Sequence, residues 1–190
     1  MKTILLIRHG MTWGNLEKRY IGRTDQELCP AGIEKAKPVA NELPACDKVF
    51  SSPLLRCKQT AEILFPDSEL NIVGDLIECD FGVFEGKTAD ELAGDRRYTD
   101  WVDAGCKDPI PGGEDTAEFK ERCKEAFLKV VGALPDETTA AFVIHGGVIM
   151  AILETFALPK RTFYEYHLEN CEFRSCLWNG EFLTIEERSK

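Results

Sequence analysis

Strand-length apolar runs alternate along this chain with segments of helical spacing, and that order points to an α/β layered fold. Lys2 to Ile7 is a largely apolar run of strand length, and Thr138 to Ile144 is a second. Lys48 to Ser51 and Leu70 to Val73 read as shorter strands between them. Residues 31–43 place Ile33, Ala36, Ala40 and Leu43 on one side of a predicted helix, with Pro38 set to kink it or delay its start. Ser52 followed by Pro53 reads as the cap and first turn of a helix reaching about Phe65. Behind Asp115, residues Phe119, Cys123, Ala126, Phe127, Val130 and Leu134 recur at helical spacing, and Val148 to Leu158 predicts a further helix. Near the C-terminus, Phe173–Trp178 and Phe182–Glu186 flank Asn179-Gly180, a hairpin signal. The expected fold is a three-layer sandwich: a mostly parallel central sheet with helices on both faces.

Residues 74–114 break the alternation. They are rich in Gly and Asp, Thr88 with Glu91 makes a capping box, and Pro109, Pro111, Gly112 and Gly113 close the stretch. This segment is expected to be a small capping excursion after the third strand, within one domain spanning residues 1–190. A length of 190 residues fits that single domain.

The net charge of −10 excludes two partner classes, because so acidic a chain repels nucleic acid and anionic membranes. Any small anionic substrate must then find a local positive pocket. Eight cysteines suggest a disulfide framework, yet they form no CxxC unit and the chain is long enough to need no staples. Free thiols in a cytoplasmic protein are the expectation, with Cys57 and Cys123 acting as small hydrophobes on helices. The N-terminal run Ile4–Ile7 is too short for a signal-peptide core, and no stretch is long and apolar enough to suggest a membrane helix.

Two of the three histidines occupy the same kind of position. His9 follows the first long strand and precedes Gly10; His145 follows the second and precedes Gly146 and Gly147. Open α/β sheets bind ligands beyond the carboxyl ends of their strands, so both can face one crevice. Taken singly, each could be a capping or core histidine, but the repeated strand–His–Gly signature weakens that reading. Arg8 adjoins His9, and Arg56 falls in the first turn of the helix after Ser52-Pro53, where free N–H groups add positive potential. An arginine fork matches phosphate oxygens in pairs. A surface salt bridge is the plainer reading of Arg56 by itself.

These residues sit in LIRHGMTWGN (6–15), SSPLLRCKQTA (51–61), LIECDFGVFEGKT (76–88), PGGED (111–115) and VIHGG (143–147). In that order and spacing the chain resembles the histidine phosphatase superfamily, also called phosphoglycerate mutase-like, over nearly its whole length. The resemblance implies that His9 is the nucleophile and that Arg8, Arg56 and His145 form the phosphate pocket. It further implies phosphate contacts from Asn15 and Gly146, and close backbone approach at Gly22. Glu78 matches the general acid and base, with Asp80 as a nearby rival. Met11 and Ile21 depart from the residues more common at their positions, which alters the pocket's surroundings and not the catalytic set.

Such a site needs no cofactor: two arginines and a protonated His145 would neutralise the phosphoryl oxygens. His9 must be neutral, with a backbone carbonyl fixing its tautomer, and Glu78 needs a raised pKa. A metal site is the competing reading, but no HExxH, HxH, Cys–His cluster or EF-hand spacing occurs. His167 is read as structural or rim, and Trp13, Tyr98 and Trp101 as a substrate wall or simple packing. The short spacing between the Arg56 and Glu78 segments resembles phosphatases more than mutases. The overall length, the DFGVFEGKT stretch and the hairpin resemble the α-ribazole phosphatase branch, which implies a phosphorylated metabolite such as α-ribazole 5′-phosphate of cobalamin nucleotide-loop assembly. A broad sugar-phosphate phosphatase, a mutase and a silent phosphate-binding protein are the alternatives.

Overall fold

A computed structural model describes residues 1–186. Its centre is β1 (Lys2–Arg8), whose residues Ile4 to Ile7 are wholly buried. Alternate side chains of a strand point to opposite faces, so burial of all four requires a layer on each side. Ile4 and Leu6 join a core with Phe119, Phe127, Ile149 and Leu153, whereas Leu5 and Ile7 join a second core with Cys57, Ala61 and Leu64. Each fully buried Leu or Ile contributes roughly 1.5–3 kcal/mol relative to an exposed one.

The first core lies under helices α6 (Thr116–Ala133) and α7 (Gly146–Phe156), and the second under α2 (Pro30–Val39) and α3 (Leu55–Leu64). Between these layers run β2 (Lys48–Ser51), β3 (Leu70–Ile72), β4 (Thr139–Ile144), β5 (Ala157–Leu158), β6 (Phe173–Trp178) and β7 (Leu183–Ile185), in the spatial order β3-β2-β4-β1-β6-β7-β5. The β1–β4, β2–β4, β2–β3 and β5–β7 pairs are parallel, and β6 is antiparallel to both neighbours. The expected α/β fold with a mostly parallel sheet is therefore observed, hairpin included.

Several helix boundaries differ from expectation. Helix α3 begins at Leu55 behind Leu54 rather than at Pro53, and the Ser52 hydroxyl accepts from the Leu54 amide at 3.4 Å while bonding His145 at 2.6 Å. Helix α2 starts at Pro30, capped by the Cys29 sulfur, and ends one residue after Pro38 rather than kinking there. Helix α7 starts two residues early, and Ala157–Leu158 leaves it to pair with β7.

The stretch from Gly74 to Asp115 holds two 3-10 turns and the short helices α4 (Ala89–Leu92) and α5 (Arg96–Asp103). The Thr88–Glu91 capping box forms as expected. Leu76, Phe84, Leu92, Trp101 and Ile110 sink into the core shared with α6 and α7, so the excursion covers that face of the sheet. Arg122 of α6 pins its two ends, donating to Glu114 through Nε and Nη2 at 2.8 and 2.9 Å and through Nη1 to the carbonyls of Asp75 and Ile77.

Candidate active site

The register of the sheet brings the two strand–His–Gly junctions together. Arg8 lies opposite Ile144 in the parallel β1–β4 pair, so His9 and His145 are neighbours one step beyond. The His9 amide donates to the Ile144 carbonyl at 2.9 Å, and the two imidazoles lie edge to face with centroids 5.2 Å apart. Both side chains are buried at the carboxyl end of the sheet.

The His9 ring is held in one tautomer. Its Nδ1 lies 2.6 Å from the Gly10 carbonyl, an acceptor only, so Nδ1 carries the proton and Nε2 keeps its lone pair. Burial, reinforced by Arg56 and Arg8, pushes its pKa well below the ordinary histidine value. The surrounding backbone is fixed from afar: Thr60 accepts from the Gly10 amide at 2.8 Å and donates to the Arg56 carbonyl, while Asn170 donates to the His9 carbonyl at 3.0 Å. Neither Thr60 nor Asn170 was singled out in the sequence, where nothing marks a partner so distant.

A cavity of about 150 Å³ opens over His9, lined also by Arg8, Asn15, Glu78, Gly146 and His167. The Asn15 carbonyl oxygen accepts from Thr12 and Asn170, which leaves its amide N–H groups for the cavity. Arg8 is anchored through the Leu168 carbonyl at 2.6 Å, and its Nε is buried without an acceptor among the described residues. Arg56 lies deeper, with its terminal nitrogens on the Thr24 and Gly22 carbonyls at 2.9 Å and its Nε likewise without an acceptor. The unpaired Arg8 N–H at the cavity with His9, and the Arg56 charge within electrostatic reach of that ring, favour an anion there, since an unpaired buried donor costs about 1–3 kcal/mol. This is the local positive pocket that the acidic chain requires.

Glu78 lies across the same cavity. Its two oxygens accept from the Cys79 and Gly147 amides at 3.0 Å, yet burial dominates and raises its pKa. A Cβ at position 147 would fall 2.5 Å from Glu78 Oε1, so this approach requires glycine. Asp80 does not line the cavity; its carboxylate accepts from the Gly82 amide at 2.9 Å. Of the two acids, Glu78 lines His9's cavity and Asp80 does not.

Burial beside Arg56 pushes the pKa of His145 well below the usual range. Two expectations need correction. Gly22 does not line the cavity: its amide goes to Glu85 at 2.8 Å, and its lack of a side chain serves the Cys79 carbonyl, which a Cβ would meet at 1.9 Å. Trp13 is half exposed beside Asp25 and Leu55, away from the cavity, whereas Tyr98 and Trp101 line a larger chamber that meets it. His167 is at the rim, as expected, 3.5 Å from Arg8.

All eight cysteines are free, and among the described residues no group of His, Cys, Asp or Glu could hold a metal ion. No helix among those residues is long and apolar enough to cross a membrane.

The two lowered histidines set a pH dependence. As pH falls through about 6.5 the unfolded chain protonates both while the folded chain does not, so stability present above that pH is lost on acidification. Glu78 opposes this with one proton, because its raised pKa favours uptake by the folded state. We expect urea midpoints in phosphate-free buffer to fall from pH 7.5 to 5.5, and His9→Asn to fall less. Equal slopes in wild type and variant would contradict a neutral buried His9.

The profile of the histidine phosphatase superfamily (branch 1) matches residues 4–189. The uncharacterized phosphatase PhoE of Bacillus subtilis is 31% identical over 194 residues, covering 100% of this chain and 93% of that one. A phosphoserine phosphatase from Entamoeba histolytica, solved with 3-phosphoglyceric acid, has a TM-score of 0.83 at 28% identity, covering 98% of this chain and 96% of that one. The α-ribazole phosphatase of Shigella flexneri shares the fold at a TM-score of 0.85 and 24% identity, covering 97% and 94%. Proteins named as phosphoglycerate mutases also match. The chain therefore belongs to the histidine phosphatase superfamily and is an enzyme of phosphomonoester chemistry.

Proposed function

We propose that the protein is a metal-independent phosphomonoesterase that carries the phosphoryl group on His9 Nε2. The observation that carries this reading is the His9 ring itself: neutral, with Nδ1 committed to the Gly10 carbonyl and Nε2 free, at a cavity with the unpaired Arg8 N–H and within electrostatic reach of Arg56. Arg8 and Arg56 take the charge that a divalent cation supplies in many phosphoryl transferases, and the first-turn amides at Gly146 add the positive end of helix α7. Asn15 donates to a phosphoryl oxygen. His145 positions His9 and Arg56 from behind and takes a proton only when a dianion arrives.

In the first step, Nε2 bonds to phosphorus while the bond to the ester oxygen breaks. The departing oxygen takes the Glu78 proton, which the raised pKa keeps available. In the second step, the Glu78 carboxylate removes a proton from water as its oxygen bonds to phosphorus, and the P–Nε2 bond breaks to return the lone pair to His9 and release phosphate. Residues 74–114 act as a cap within one domain of residues 1–190, and the eight thiols suit a cytoplasmic setting. The finer substrate reading is α-ribazole 5′-phosphate in cobalamin nucleotide-loop assembly, supported by the DFGVFEGKT stretch and the C-terminal hairpin.

A hydrolysis panel tests the reading: α-ribazole 5′-phosphate, sugar phosphates, 3-phosphoglycerate and nucleotides, each with and without EDTA. We expect phosphate release from α-ribazole 5′-phosphate to lead and to survive chelation nearly unchanged. Loss of most turnover in EDTA with recovery on Mg²⁺ would contradict the arginine-based mechanism. Isomerisation of 3-phosphoglycerate after priming with a bisphosphate, exceeding hydrolysis, would make the protein a mutase.

A further inference from the structure

The His9 cavity adjoins an apolar chamber of about 420 Å³, and the two share the lining residues Tyr20, Glu78, Phe81, Gly147 and Met150. Glu78 therefore stands where they meet, and that is where the ester oxygen of a bound substrate must lie if Glu78 protonates it. Whatever that oxygen carries points into the chamber.

The chamber's chemistry is one-sided. Tyr98, Trp101, Ile110, Phe119, Phe163 and Tyr164 supply much of its wall, and among the described residues Glu78 is the only carboxylate or cationic side chain lining it. Tyr20 and Tyr164 are neutral phenols, their pKa values raised first by burial. A carboxylate or ammonium group entering this space would shed water and meet no counter-charge, which is unfavourable by several kcal/mol per ion. A flat apolar ring would instead meet aromatic edges already packed in T-shaped and tilted pairs, among them Tyr20 with Tyr98 and Trp101. One polar group stands out: Trp101 is only 7% exposed, and its Nε1–H has no acceptor among the described residues. Tryptophan buried to this degree usually finds a partner. A single acceptor on a ring, such as an aza nitrogen, would satisfy it.

We infer that this chamber is the leaving-group site, selecting monophosphate esters whose alcohol carries an uncharged aromatic group with a hydrogen-bond acceptor and rejecting carboxylate-bearing monoesters. The inference rests on the phosphomonoesterase reading. During transfer the aromatic alcohol remains in the chamber while its oxygen exchanges phosphorus for the Glu78 proton. A volume near 420 Å³ lies within the usual range for small-molecule sites and admits a bicyclic ring.

The test holds the ester oxygen nearly constant, as that of a primary alcohol. Values of kcat/KM are compared for ethyl phosphate, 2-phenylethyl phosphate, a quinolinylethyl phosphate, phosphoserine and 3-phosphoglycerate. The two arylethyl esters should exceed ethyl phosphate by roughly 10²-fold, from apolar burial alone, with phosphoserine at or below ethyl phosphate. Trp101→Phe should lower the quinolinylethyl ester about tenfold more than the phenylethyl ester. Val102, on the chamber wall and 42% exposed, tolerates a longer side chain. Val102→Lys should weaken the arylethyl esters and raise 3-phosphoglycerate, each read relative to ethyl phosphate on the same variant. Equal rates for ethyl and arylethyl esters, or preference for phosphoserine, in an enzyme that still forms phosphohistidine would overturn the chamber and leave the phosphatase. No turnover of any ester and no phosphohistidine would overturn both.

Discussion

His9→Gln should abolish turnover on every phosphomonoester, by on the order of 10⁵-fold or more, while the enzyme still binds inorganic phosphate. The two halves of that result come from different groups. Turnover needs a lone pair at Nε2 in line with phosphorus, and glutamine has no nucleophilic nitrogen to replace it. Anion binding comes from Arg8 and Arg56, whose anchors on Leu168, Thr24 and Gly22 do not involve the imidazole. Glutamine also keeps an N–H that can reach the Gly10 carbonyl, so the turn at the end of β1 should survive. Phosphate affinity is read by calorimetry and activity by phosphate release. Residual activity above about one percent would mean that water, and not His9, attacks phosphorus.

Glu78→Gln should slow hydrolysis of alkyl phosphates by roughly 10²–10⁴-fold, the usual contribution of a general acid. An alkoxide cannot leave without a proton, whereas a nitrophenolate can. The same variant should therefore form phosphohistidine from an activated aryl phosphate at nearly the wild-type rate. Breakdown of that intermediate also needs Glu78, as base, so it becomes limiting and a burst of phenol release appears. Asp80→Asn should show no such selectivity, because that carboxylate supports the Gly82 turn and does not face His9. Equal losses on both substrate types in the phosphorylation step would remove Glu78 as the acid.

Much of this arrangement was legible in the chain, for reasons that can be stated locally. The apolar runs of β1 and β4 leave no alternative to burial, and their His–Gly endings put two histidines at one end of the sheet. Helix α6 declared itself through its Asp115 cap, which accepts two first-turn amides as its sequence position suggested. Burial and distant contacts were not legible. The charge on His145 depends on how completely the fold excludes water around it, and the bond from Ser52 to His145 joins residues far apart along the chain. Thr60 and Asn170 fix the His9 turn from 50 and 161 residues away, with nothing local to mark them. The aromatic chamber is likewise assembled from Tyr20, α5, α6, α7 and the segment at Phe163, so no window of sequence contains it.

The covalent intermediate is the claim on which the rest depends, and trapping it is the direct test. Glu78→Gln is mixed rapidly with an activated aryl phosphate labelled at phosphorus, quenched in base within the burst, and digested for mapping. The account predicts about one acid-labile, base-stable phosphoryl group per chain, carried on His9. Absence of a phosphoprotein during the burst, or a label on His145 or on a cysteine, would contradict it.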